Sequence, residues 1–176
     1  MFISMLQNRR SYRKFTGQPV EADKIDQLIE AALRAPSSRG INPCEYVVVT
    51  DKAMLEKLSM SKAHGAAFLK DAPLGIVVCA DAERQDVWIE DASIAAITIH
   101  YAAASLGMGG CWIQIRERKH SDGRPGEAHI AELLNLPGNL KVLAIVAVGY
   151  PDEDKKPHAK NELLYATVHR EAYKGK

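Results

Sequence analysis

Arg9, Arg10, Ser11 and Arg13 lie near the start of this 176-residue chain, and His158 and Lys160 lie near its end. Two such cationic clusters can meet on one phosphate. Arginine suits that task because its planar fork donates two charge-assisted hydrogen bonds, and an extended backbone would let alternate side chains converge on one pocket. Two loops of different chemistry lie between the clusters. Pro36-Ser37-Ser38-Arg39-Gly40-Ile41-Asn42-Pro43 offers hydroxyls and an amide. Gly107-Met108-Gly109-Gly110-Cys111-Trp112-Ile113-Gln114 offers glycines, which permit close backbone approach, so that a main-chain N–H near residues 113 to 115 can face a flat heterocycle with no side chain between.

Taken singly, each stretch has an ordinary reading. A basic run reads as a solvated helix end, Pro36 as a helix stop, the glycines as a left-handed cap, and Trp112 as a core residue. Other chemistries find less support. Cys44, Cys79 and Cys111 are odd in number and without a C-x-x-C pair or zinc spacing, so neither a disulfide framework nor a metal site is expected. Cys111 sits in an apolar run, where an inert buried thiol is the usual outcome. Glu90 and Asp91 are adjacent and point to different helix faces, so they do not form a carboxylate pair. Nothing resembles a Walker loop, and residues 107–110 lack the G-x-G-x-x-G arrangement of a dinucleotide fold.

The elements that must position these residues are mixed α and β. Phe2, Ile3, Met5 and Leu6 suggest a short first helix, while Ile25, Leu28, Ile29, Ala32 and Leu33 mark a second that stops before Pro36. Strand-like runs occupy 46–49, 75–79 and 142–148, with a shorter one at 111–115, and their few polar interruptions predict helices over both faces. Short helices are expected over 54–61 and 128–134. A long one over 86–108 spans roughly 30 Å, enough to cross a membrane, but Asp86, Glu90, Asp91 and His100 argue against that. It is either the central core helix or a surface buried in a homodimer. Lys plus Arg total 23 against 22 acids, so no nucleic-acid or membrane partner is expected. One domain over residues 1–176 is the expectation, in a reducing cytoplasm and without a secretory signal at Met1.

The four stretches together, in this order and spacing, resemble the flavin-binding set of the nitroreductase family. Residues 9–13 match its R-x-S-x-[RK] pattern, 36–43 its P-S-S loop ending in N-P, and 107–113 its G-x-G-x-C-W-I segment, the most specific of the four. Gly149-Tyr150-Pro151 with Lys155-Lys156-Pro157-His158-Ala159-Lys160 matches a V-G-Y-P stretch followed by a K-P-R-P-R type segment. The resemblance implies an α+β fold, a central mostly antiparallel sheet flanked by helices in an intertwined homodimer, with FMN as cofactor and NAD(P)H and a small flat acceptor as partners.

It also implies roles. Arg9, Arg10, Ser11, His158 and Lys160 would serve the phosphate and ribityl end, and Pro36, Ser37, Ser38 and Asn42 the ribityl oxygens or ring carbonyls. Cys111, Trp112, Ile113 and Gln114 would lie along the ring. Arg13 would sit beside N1 and O2, where positive charge favours the reduced ring; no conventional catalytic acid or base is implied. Cys44 stands where the family commonly has an aromatic residue, a departure on the substrate side of the pocket; Gln114 and Ile115 stand where many relatives have small residues, which implies narrower substrate access over the ring. The segment from about Asp51 to Gln85 carries no placeable motif, with His64 and Lys70 its candidates to approach the cofactor. Two other readings are a flavin-binding storage or sensing module and a basic-loop interaction protein with no cofactor.

Overall fold

A computed structural model describes residues 2–175; Met1 and Lys176, the two ends of the single-domain assignment, lie outside the described residues. Four strands, β1 (Cys44–Val49), β2 (Leu74–Asp81), β3 (Gly109–Gln114) and β4 (Leu140–Gly149), form one sheet in the order β1-β2-β4-β3, every neighbour antiparallel. The two central strands are the two longest apolar runs, buried almost end to end. That burial requires cover on both faces.

One face packs against α3 (Lys52–Ser59), α5 (Gly126–Leu134) and a turn at Ala67–Asp71, through Leu55, Leu58, Leu69, Val77, Ile113 and Ile145. On the other lie α2 (Ala22–Leu33) and α4 (Trp88–Ser105), through Leu28, Ile76, Val78, Ile99 and Val146. The short α1 (Phe2–Asn8) contributes no buried residue. No helix of the described residues is long and apolar enough to cross a membrane.

Several boundaries differ from the sequence expectation, each for a local reason. The long helix runs 88–105 rather than 86–108: Val87 is its N-cap, and the chain leaves through Gly107 at φ +75, a left-handed turn that favours glycine. α3 begins at Lys52 because Asp51 caps it, its side chain accepting from the Met54 N–H at 2.8 Å. β1 is only partly covered, since it is the sheet edge; Glu45 and Val48 are exposed.

At the opposite edge the chain caps β3 with its own N-terminal segment. Ser11 bridges Gly110 in parallel and the Tyr12 N–H donates to the Gly110 carbonyl at 3.0 Å, while Phe15 bridges Pro151 just beyond β4. Residues near both ends of the chain thereby meet beside the Gly-Gly-Cys-Trp strand.

Candidate functional site

The basic segment 9–13 is held against the end of the chain by one acidic side chain. Glu153 Oε1 accepts from the Arg13 N–H at 2.6 Å and the Lys14 N–H at 3.2 Å, and pairs with Lys155 Nζ at 2.9 Å. Lys155 Nζ in turn donates to the Ser11 carbonyl at 2.7 Å. These bonds, led by that from the Arg13 N–H, hold the Glu153 carboxyl at about 2 instead of 4.5. A carboxyl depressed in the folded state contributes stability that is fully present above its ordinary pKa and lost as pH falls through the folded one. The amides of Arg13 and Lys14 should therefore exchange faster, relative to intrinsic rates, as pH drops from about 4.5 to about 2. Glu153→Gln, which keeps an acceptor but no charge, should flatten that dependence in amide-exchange NMR.

Arg9, His158 and Lys160 line one cavity of about 630 Å³ together with Gln7 and Asn8. That places the two basic clusters on a common space of the size small ligands occupy. Arg9, Arg13 and Lys160 have no carboxylate partner among the described residues, whereas His158 Nδ1 lies 3.2 Å from Glu162. Arg10 is used differently: its guanidinium donates to the Lys156 carbonyl, which ties the segments together.

β3 supplies the backbone side of the site. Ile113 pairs with Ile145, and the Ile115 N–H donates to the Leu143 carbonyl at 3.1 Å, so odd-numbered residues turn their backbone inward. Even-numbered residues turn outward; Gly110 uses this edge for Tyr12, and Trp112 and Gln114 follow along it. Of residues 113–115, Gln114 thus presents its N–H to the open edge. Its side chain is locked, Oε1 accepting from Trp112 Nε1 at 3.0 Å and Nε2 donating to the Arg116 carbonyl at 2.9 Å. The side chains of Cys111 and Ile113 are buried, and burial raises the Cys111 thiol pKa although Arg13, Lys155 and Lys62 pull it down.

The loop 36–43 stands elsewhere. Asp91, 3% exposed in the first turn of α4, accepts from Ser37 Oγ and the Ser38 N–H, both at 2.9 Å. Ser37 Oγ also accepts from the Asn42 N–H at 2.9 Å, and Pro36 is exposed beside them. From Asp91 to Ser105 the helix rises about 21 Å, so one chain does not bring this loop to the basic segment.

Sequence reasoning missed Asp91, Glu153 and Lys62. Asp91 carried one signal, an acid at the head of an apolar helix; Glu153 carried none, because its partners are 140 and 139 residues away. Lys62 comes from the motif-free segment and is half-buried, its pKa lowered by burial and by the like charges of Arg118 and Arg13. His64 is exposed, and Lys70 lines a separate cavity with Thr16 and Lys52. Lys62 is the residue of this segment that extends the cationic site.

Residues 6–150 match the sequence model of the Nitroreductase family. Among solved structures, an FMN-dependent nitroreductase from Clostridium difficile R20291 is 45% identical, with a TM-score of 0.95 over 97% of this chain and 99% of that one. The NADPH:FMN oxidoreductase of Vibrio harveyi, solved in complex with NAD+, is 27% identical with a TM-score of 0.82, over 99% of this chain and 79% of that one. The FMN reductase [NAD(P)H] of Bacillus subtilis is 32% identical over 97% of this chain and 74% of its own length.

Proposed function

The chain belongs to the nitroreductase family and is an FMN-dependent NAD(P)H oxidoreductase, and from that premise we propose that it works by a ping-pong exchange in a homodimer. The flavin, when bound, supplies the redox chemistry, taking electrons from NAD(P)H and giving them to a flat oxidised acceptor such as a nitroaromatic or quinone. The chain supplies the rest, as one cofactor-binding domain over residues 1–176 in a reducing cytoplasm.

The observation that carries this reading is the meeting of residues 9–13 with residues 153–160 beside the open edge of β3. Arg9, Ser11, His158 and Lys160 hold the phosphate end. Arg13, with Lys62 beside it, places positive charge where the reduced ring becomes anionic, and the Gln114 N–H faces the ring from the strand edge. The Pro36, Ser37, Ser38 and Asn42 loop reaches the cofactor from the second subunit, because within one chain it lies at the far end of α4. Half-buried Ile97 and Tyr101, with Ile94 at 37% exposure, leave α4 an apolar outer face for that subunit.

An anaerobic visible spectrum of the FMN-reconstituted protein tests the reading. Flavin bands should bleach on addition of NADH or NADPH and return when a quinone is added. Bands that persist would make the protein a flavin store or sensor, and a protein that retains no flavin would overturn the assignment. Lys160→Ala should weaken FMN about tenfold and leave riboflavin, which has no phosphate, unchanged. Arg13→Ala should lower the flavin midpoint potential by about 30 mV or more, the two-electron equivalent of roughly 1.4 kcal/mol.

A further inference from the structure

Beyond Gln114 the chain makes an ordered cationic turn. The Arg118 N–H donates to the Ile115 carbonyl at 2.9 Å, the Gly126 N–H to Arg118 at 2.7 Å and the Ala63 N–H to Lys119 at 3.0 Å, while Lys119 bridges Pro125. Glu117 sits at φ +59, in the left-handed region that a non-glycine residue occupies only where its surroundings hold it. A Cβ at Gly126 would lie 2.5 Å from the Ser61 carbonyl oxygen, so the turn is packed directly onto the end of α3.

This turn walls a groove of about 660 Å³ whose lining includes Arg116, Arg118, Lys119, Lys141 and the half-buried Trp88. Four cations face two carboxylates, Glu117 and Glu127. Only Arg116 is paired, with Glu117 at 2.8 Å; Arg118, Lys119 and Lys141 have no carboxylate partner among the described residues. Lys62, whose pKa is lowered first by its burial, also feels the like charges of Arg118 and, more weakly, of Arg13. Arg116 follows Gln114 by two residues, at most about 7 Å of chain.

An aromatic side chain beside cations without carboxylate partners, carried on an ordered backbone, is the chemistry that holds a purine nucleotide by stacking and by its phosphates. We propose that this groove binds the adenosine phosphate portion of the nicotinamide coenzyme, with Arg118, Lys119 and Lys141 on its phosphates and Trp88 against its adenine. The proposal rests on the flavin reductase reading and adds to it a place for the half of the coenzyme that does not react.

Calorimetric titration of the FMN-loaded protein with adenosine 2′,5′-bisphosphate and with 5′-ADP tests it without turnover. An Arg118→Ala/Lys119→Ala double variant should bind at least one of these about tenfold more weakly, with a matching rise in the KM for the coenzyme and an unchanged flavin spectrum and FMN content. Loss confined to the bisphosphate assigns the cations to a 2′-phosphate and predicts NADPH preference; loss of both assigns them to the 5′-phosphates. Trp88→Ala should weaken both probes and Trp88→Phe should restore them, which separates stacking from a fault in folding. Equal binding by wild type and double variant, or loss of FMN from the double variant, overturns the proposal. Bisphosphate binding that the double variant loses supports the groove even where the wild-type flavin fails to bleach, a result that overturns only the reductase reading.

Discussion

Asp91→Ala should destabilise the protein by about 3 kcal/mol in urea unfolding, the largest loss expected from any single polar substitution in this fold. The carboxylate is buried and receives both the Ser37 hydroxyl and the Ser38 N–H at 2.9 Å, and its removal leaves two donors facing a void. It also lies in the first turn of α4, where negative charge is favoured by the helix dipole. Asp91→Asn keeps one acceptor oxygen and should lose about half as much. Glu90, its exposed neighbour, serves as the control, and Glu90→Ala should change stability by less than about 0.5 kcal/mol. Because the same bonds shape the loop that the second subunit is proposed to lend to the flavin, FMN affinity should fall with stability in the Asp91 series. An unfolding midpoint unchanged in Asp91→Ala would remove this residue as the anchor of the loop.

Gly109→Ala should act on the cofactor more than on the fold. A Cβ there would lie 2.6 Å from Tyr12 Cδ2 and 2.7 Å from Pro151 Cγ, distances that force both to give way. Tyr12 is the freer, since its ring lies between the β3 edge and the Lys155 ammonium, 5.7 Å from its centroid. Moving it pulls on the Tyr12 to Gly110 hydrogen bond and on the flanking Ser11 and Arg13. Overpacking of this kind costs about 1–3 kcal/mol. If most of that falls on the basic segment, FMN affinity drops about tenfold or more, since 1.4 kcal/mol is tenfold. Fluorescence titration of FMN into the apo-protein, beside its thermal unfolding, separates the two effects. A variant that melts earlier and binds FMN normally would show that the segment is not set by Tyr12.

Much of the fold was legible because the two central strands, Leu74–Asp81 and Leu140–Gly149, are apolar on both faces and leave no other assignment. The Gly-Gly-Cys-Trp segment was legible for a different reason: glycine, thiol and indole in that order are an uncommon combination. Element ends were less so. The starts of α3 and α5 depend on Asp51 and Gly126, whose effects lie in a side-chain cap and in the close approach to Ser61. β1 shows a nearly continuous apolar run, Tyr46 to Val49, yet lies at an edge; periodicity reports what a strand tolerates, and its place in the sheet is fixed by pairing.

Within the site, the residues visible from sequence are those that would touch the ligand, since their types announce their chemistry. Those that hold them in place were not visible. Glu153 is one acid in a polar turn until the fold sets it under the amides of Arg13 and Lys14, and Asp91 is one acid at a helix start until Ser37 and Ser38 arrive. Lys62 shows nothing in its neighbours along the chain; its company is Arg13 and Arg118 in space.

On the proposed site, the join between residues 11–15 and residues 149–155 also sets when the protein can first take up its cofactor. A contact across some 140 residues is among the last that a chain can make, because loop closure must be paid before the contact returns anything. During synthesis, the N-terminal basic segment emerges first and waits, unpaired, until β4 and the turn after it have left the ribosome. On the proposed site cofactor loading is therefore a late step, completed after the sheet, and the Gly110 end of the β3 edge stays open to other chains until the N-terminal segment caps it.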